Sequence, residues 1–253
     1  MAEKLQSVTH ALLTLKLLRR TPSIGVSEVA AELGVGVSTA HRLLATLAAE
    51  GFVQQRGGRK YELGREMLGS ASAIEHCAEV SAPVMRRLRD ISRETVHLSI
   101  VRGAETFFLS AVESNAVVRV TTRVGERPPA HSTGAGKVLL ASLSREAFLE
   151  LYPDESLGQA TDLTIEDREA LWDELRHVEQ VGYATNLGES EFDMYAIAVP
   201  IRRPDGPPVC ALSLAAPLSR INPTGDGVIN SEEAALLEQL RTAAREIESL
   251  LVY

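Results

Sequence analysis

A chain of 253 residues exceeds the roughly 100–200 residues usual for one domain, so two domains are expected, each able to bury a core. The longest apolar run, Val209 to Leu218, holds a Ser and a Pro and falls far short of the roughly 20 residues of a membrane span; the polar start MAEKLQSVTH has no apolar secretion segment, and a cytoplasmic protein is expected. Cys77 and Cys210 are far apart in sequence and belong to no CxxC pair, which argues against a disulfide framework or a zinc ribbon and makes both small buried apolar residues. The net charge of −8 hides an asymmetry: residues 1–75 carry 9 Lys/Arg against 7 Asp/Glu, and residues 76–253 carry 17 against 27. A mildly basic front end on an acidic body suits a polyanion-binding module joined to a soluble partner domain.

Leu5, Val8, Leu12 and Leu15 recur at helical spacing and predict a first helix over residues 4–20. Ser27 is the expected cap of a short helix, SEVAAELG, closed by Gly34, and Ser38 opens a third, STAHRLLATLAAEG, closed by Gly51. Ala40, Leu43, Leu44, Leu47 and Ala48 form the apolar stripe of that third helix, so Ser38, Thr39, His41, Arg42, Ala45 and Thr46 face outward. FVQQRGGRKYEL then reads as a hairpin with Arg56, Arg59 and Lys60 at its tip. Two close helices followed by a basic hairpin predict a winged helix-turn-helix. The next helical stretch is expected to break near Ser81-Ala82-Pro83, with Ser as cap and Pro in a new first turn.

Beyond residue 95, TVHLSIVR, TFFLSAVE and VVRVTTRV read as strands, AGKVLLASL and SREAFLELY as helices, and Thr164 is the expected cap of a helix reaching Gly182. MYAIAVPI, the PDGPP turn and VCALSLAA predict a hairpin, and a final amphipathic helix runs from Ser231 on Leu237, Leu240, Ala244, Ile247 and Leu251. The expected architecture is α+β, an antiparallel sheet with helices on one face.

The densest chemistry lies in RPPAHSTGAGK, residues 127–137. A Walker loop requires Gly six residues before Lys137 and Ser or Thr after it; the chain has His131 and Val138 there. A catalytic dyad of His131 and Ser132 would need adjacent side chains to face each other and a third group to orient them, and the chain has no G-x-S-x-G elbow. His131, Glu189, Glu191 and Asp193 show no helix-spaced metal pair of the H-E-x-x-H kind. No catalytic residue, metal or cofactor is expected. Two readings of Ser132, Thr133 and Gly134 remain open: a helix-end binding site for a carboxylate, or a cluster that only caps the helix.

The chain resembles the IclR family of bacterial transcription regulators over nearly its whole length. The resemblance rests on VGVSTAHRLLATLAAEG and YELG in the front end and on RPPAHSTGAGKVLLA, GYATNLGESE and AIAVPI followed by ALSLAAP in the body. It implies a winged helix over residues 1–66 that reads a palindromic operator in double-stranded DNA, a linker helix over 67–82 that helps dimerise, and a GAF-like effector-binding and oligomerisation domain over 83–253. Homodimers or dimers of dimers are implied. Ser27, Ser38, Thr39, His41, Arg42, Thr46, Arg56, Arg59 and Lys60 become the expected DNA contacts. An effector carboxylate would meet the backbone of Gly134 and Ala135, with His131, Ser132, Thr133, Asn186, Met194, Ala196, Ile197, Ser213 and Ala215 around it. Members of the family with small-acid effectors carry Asp, Cys and Ser where this chain has Asn186, Ala196 and Ala215. Losing those groups predicts a larger, more apolar organic acid, an aromatic one included. The competing classes are a metal or redox sensor using the cysteines and a small-molecule enzyme using the His131/Ser132 loop.

Overall fold

The computed structural model describes the chain except residues 1–4, 19–20, 22, 57–59, 65–69, 204–205, 224–228 and 252–253, and it leaves the side chains of 56 and 70–73 undescribed. The chain divides into two compact units, residues 1–73 and 74–253.

In the first unit, α1 (Gln6–Leu18), α2 (Val26–Leu33) and α3 (Val37–Ala49) precede a hairpin of β2 (Val53–Arg56) and β3 (Lys60–Leu63). A two-residue strand, β1 (Ile24–Gly25), pairs antiparallel with β3 and completes a sheet ordered β1-β3-β2. Leu15, Leu18, Val29, Ala40, Leu44, Leu47, Val53 and Tyr61 form one buried cluster. Spacing of three and four places Ala40, Leu44 and Leu47 on one stripe of α3. Two expected caps are corrected. α2 starts at Val26 with Gly25 as its cap, and the Glu28 carboxylate reaches back to accept from the Gly25 N–H. Ser27 lies exposed in the first turn. α3 likewise opens at Val37 after Gly36, one residue ahead of Ser38.

In the second unit, α4 (Ser70–Ser92) leads into β4 (Thr95–Arg102) and β5 (Glu105–Val112). After a loop come α5 (Gly134–Leu140), α6 (Arg145–Leu151) and α7 (Arg168–Val181), then β6 (Ala184–Leu187), β7 (Met194–Arg202), β8 (Pro208–Pro217), a short α8 (Leu218–Ile221) and α9 (Ser231–Leu250). The strands form an antiparallel sheet ordered β5-β4-β8-β7-β6. Alternate residues of the central strands serve two cores. Val96, Leu98, Tyr195, Ile197, Leu212 and Leu214 pack with α4 and α9. Ala184, Ala198 and Ala211 pack with α5, α6 and α7. The sheet is therefore covered on both faces, which corrects the expectation of helices on one.

Other departures have local causes. α4 runs through Pro83 without the expected break, because Cys77, Ser81, Val84, Met85 and Leu88 continue one buried stripe across it. The segment VVRVTTRV is no strand. Val117 and Val118 are exposed, and the carbonyls of Val118 and Val120 accept from Arg220 and the Thr95 hydroxyl in place of a ladder. α7 starts after Asp167, whose carboxylate accepts from the Ala170 N–H at 2.8 Å. Thr164 instead lies buried and donates to the Glu189 carbonyl at 2.6 Å. Cys77 and Cys210 are buried as expected, yet they are not apart in space: their sulfurs lie 2.7 Å from each other, between α4 and β8. The PDGPP turn lies partly outside the described residues. Among the described residues, no helix is long and apolar enough to cross a membrane.

Candidate nucleic-acid interface and effector site

The face of α3 opposite its buried stripe presents Ser38, Thr39, His41, Arg42, Ala45 and Thr46, all exposed. Helical geometry puts these six on adjoining turns of one face. The Thr46 hydroxyl is taken up locally, donating to the Arg42 carbonyl at 2.9 Å. On the hairpin, Arg56 and Lys60 are directly opposed across β2 and β3, and the Lys60 side chain is exposed. Arg59 lies outside the described residues, as does the Arg56 side chain.

In the second unit the sheet face under α5 is built by register. Thr95, Ala215, Ala196 and Asn186 form one row across β4, β8, β7 and β6, and His97, Ser213, Ala198 and Ala184 form the next. Ser99, Ala211 and Pro200 make a third. Directly opposed residues of antiparallel strands share a face, so these rows define one surface. The start of α5 rests on the second row. A Cβ at Gly134 would come within 3.1 Å of the Ala184 carbonyl, and one at Gly136 within 2.0 Å of the Ala130 carbonyl. Glycine at 136 is thus required by contact with the preceding loop.

The loop itself resolves into structural roles. His131 bonds the Gly158 carbonyl through Nε2 at 2.8 Å, and Ser132 donates to the Pro129 carbonyl at 2.9 Å. The two side chains therefore serve different partners and make no nucleophile–base pair. Thr133 caps α5, accepting from the Gly136 N–H at 2.9 Å, and its hydroxyl meets that of Thr106 at 2.7 Å. Lys137 is 2 % exposed and pairs with both oxygens of Glu189, at 2.8 and 3.0 Å, and with Glu174 at 3.3 Å. Burial raises the Glu189 carboxyl above its ordinary range while the Lys137 charge pulls it back.

Ala196, Ser213 and Ala215 share this face with Met194 at the start of β7, and Gly134 and Ala135 pack beside Ala184 and Ala198. Asn186 sits in the first row, but its amide is occupied: Oδ1 accepts from the Glu189 N–H at 2.8 Å and Nδ2 donates to Ser190 at 2.7 Å. Ile197 is not part of this surface. It points to the opposite face and packs in the α4/α9 core, as alternation along β7 requires.

Three groups on or beside this surface escaped the sequence reading. His97 is 1 % exposed and Ser99 fully buried, and neither His97 Nε2 nor Ser99 Oγ has a hydrogen-bond partner among the described residues. Arg123 holds Glu126 and Glu191, each at 2.8 Å, while its Nη1 is buried and unpartnered. The Phe108 ring, paired in register with Ser99, neighbours both others, 5.0 Å from the His97 ring centroid and 5.7 Å from the Arg123 guanidinium carbon. Burial pushes the His97 pKa down to about 4, aided by the Arg123 charge. The imidazole is therefore neutral at pH 7.

A helix-turn-helix with a hairpin wing, followed by a doubly covered antiparallel sheet with an enclosed polar surface, defines a DNA-binding sensor protein. Comparison with known proteins supplies the particular family. Residues 7–57 match the IclR helix-turn-helix domain and residues 71–249 the C-terminal domain of bacterial IclR transcriptional regulators. The chain is 29% identical to the HTH-type transcriptional regulator XynR of Escherichia coli K12, covering 98% of each. It is 30% identical to the HTH-type transcriptional repressor AllR of the same strain, covering 97% of this chain and 90% of that one. A solved IclR homologue from Microbacterium hydrocarbonoxydans, complexed with 4-hydroxybenzoate, is 27% identical with a TM-score of 0.60 over 97% of this chain and 98% of that one. The chain belongs to the IclR family: it is an IclR-type transcriptional regulator with a helix-turn-helix domain and an effector-binding C-terminal domain.

Proposed function

We propose that the protein is a cytoplasmic regulator that binds a palindromic operator as a homodimer or dimer of dimers and responds to a small organic acid, and that it performs no catalysis. The observation that carries the DNA-binding half is the exposed polar face of α3 above a fully buried apolar stripe. In this reading α3 enters the major groove. Arg42 pairs bidentately with guanine, Ser38, Thr39, His41 and Thr46 adjust the fit, and Ser27, Arg56, Arg59 and Lys60 hold phosphates.

The effector would lie against the first sheet row, beside the point where Gly134 and Ala135 begin α5 over the second. Ala196 and Ala215 supply an apolar floor there, so a bulkier acid is favoured over a two- or three-carbon one. The 4-hydroxybenzoate held by the Microbacterium homologue supports an aromatic acid. Regulation requires that the acid prefer one arrangement of the assembled protein, and a differential affinity of about 1–3 kcal/mol would shift operator binding by about 5- to 150-fold. α4 is continuous through Pro83, so the coupling would pass along an unbroken helix.

A thermal-shift screen of small acids, followed by operator binding in the presence of each hit, tests both halves. An acid that raises the melting temperature and changes operator affinity supports the reading. Purified protein that selects no duplex from a genomic library at low ionic strength overturns the first half, and hits that never alter operator affinity overturn the second.

A further inference from the structure

The sheet surface beneath α5 is polar along β4 and, apart from Ser213, apolar across β8 and β7. Going across the strands from β4, His97 is followed by Ser213 and Ala198 and Ser99 by Ala211 and Pro200, with Ala215 and Ala196 in the neighbouring row, and α5 begins above Ala198 and Ala184. Leaving a buried polar group without a partner costs on the order of 1–3 kcal/mol. Here three such atoms, His97 Nε2, Ser99 Oγ and Arg123 Nη1, occur around a single ring, Phe108. Nothing in the packing of the core demands them. Val96, Leu98 and Ile100 complete the other face of the same strand.

We infer that His97, Ser99 and Arg123 form the specificity end of the effector site and bind a neutral hydroxyl or carbonyl group at the far end of a monocarboxylic acid. The inference rests on the effector reading above and adds the chemical class of the ligand. Electrostatics decides between a neutral group and a second carboxylate. The single charge of Arg123 is already offset by two carboxylates, Glu126 and Glu191. His97 adds no positive charge, since its buried imidazole is neutral at pH 7. A second carboxylate would meet a surplus of negative charge in a low-dielectric setting. A hydroxyl or carbonyl oxygen can accept from Arg123 Nη1 and exchange hydrogen bonds with Ser99 and His97 at no such cost. β4 lies two strand spacings from β7, roughly 10 Å. That span suits a body of one ring or a short chain with a hydrogen bond at each end.

Two matched sets of acids test this on the full chain by calorimetric titration: benzoate, 4-hydroxybenzoate and terephthalate, and pentanoate, 5-hydroxypentanoate and glutarate. In at least one set the hydroxy acid is expected to bind about tenfold tighter than the plain acid, and the diacid weakest. Ser99→Ala and, separately, His97→Asn should each remove most of that preference while changing affinity for the plain acid less than threefold. The plain acid thereby serves as the control for folding. Preference for the diacid, or equal affinity for plain and hydroxy acids, overturns the inference and leaves the effector reading standing. Loss of plain and hydroxy acids alike in both folded variants would place the acid end at Arg123 and overturn it as well. If none of the six acids binds the wild-type chain, the effector reading itself falls.

Discussion

The outer face of α3 and the inner face of the five-stranded sheet are both polar rows set between apolar ones, and they obey opposite physics. Ser38, Thr39, His41 and Arg42 are exposed, so water satisfies them and the fold asks nothing of their identity. His97 and Ser99 on the sheet and Lys137 on α5 are buried between the sheet and its covering helices, where each polar atom must find a partner in the protein or in a ligand. A substitution on α3 should therefore change binding and leave stability alone, whereas one under α5 should change both. Each prediction below would break or sharpen that contrast.

The largest effect is expected at Lys137. Removing one partner of a buried ion pair leaves the other charge unpaired, which costs about 3–5 kcal/mol. Lys137→Met should lower the unfolding free energy by up to that amount in urea denaturation, because the Glu189 carboxyl, which burial already disfavours as an anion, loses the charge that holds it ionised. Adding Glu189→Leu should restore most of the loss. If Lys137→Met alone is neutral, the pair is better solvated than its burial indicates, and the contrast with α3 weakens.

Next comes a pH effect at His97, where Arg123 and Glu113 are the charged groups acting on the ring. Its pKa is about 4 in the folded protein against the ordinary 6.5, so the unfolded chain binds the extra proton between those values. By linkage, stability rises with pH across that window: the contribution is complete above about pH 6.5 and is lost as pH falls toward 4. A shift of this size corresponds to roughly 3 kcal/mol at most. Thermal melts from pH 7 to 4 should fall more steeply for the wild type than for His97→Asn. Parallel curves would show that the imidazole is open to water.

How far the sequence discloses these two surfaces follows from the same contrast. The α3 face is legible because a 3.6-residue period leaves its polar side in water, and Ser38 to Thr46 are exposed as expected. Gly134, Ala135, Ser213 and Ala215 enter the proposed effector site through resemblance. His97 and Ser99 were missed because TVHLSIVR alternates as a strand with one wet face would. One signal was present: Thr95, His97 and Ser99 carry no formal charge at pH 7, whereas a solvated strand face usually holds Lys or Glu. β6 was missed because four residues between Gly182 and Gly188 carry too short a pattern. VVRVTTRV misled because its valines mimic a strand, although both sides of β4 are already paired, by β5 and β8. The Cys77–Cys210 contact spans 133 residues, a distance no local period reports.

On the exposed side, Arg42→Ala should leave the melting temperature within the small range of surface substitutions, about ±0.5 kcal/mol in stability. Operator binding should lose about 1–3 kcal/mol of discrimination at one base pair, read from a panel of single-site operator mutants. A uniform loss across the panel would turn Arg42 into a phosphate contact. Any large stability loss would show that α3 is not a free face.

The smallest effect belongs to Lys60. It stands exposed at the start of β3, opposite Arg56, where the hairpin would meet the sugar-phosphate backbone. A phosphate contact carries no sequence information, so Lys60→Ala should weaken all duplexes alike, by a few-fold near physiological salt. The plot of log affinity against log salt should lose about one unit of slope, because one fewer counterion is released on binding. Operator preference measured as a ratio should not change. Comparing slopes for Arg42→Ala and Lys60→Ala therefore separates two kinds of exposed cation that the fold leaves equally unconstrained: a changed ratio with little change in slope marks the reader, and a changed slope at constant ratio marks the positioner. If Lys60→Ala alters the ratio, the hairpin reads bases, and sequence readout extends beyond α3.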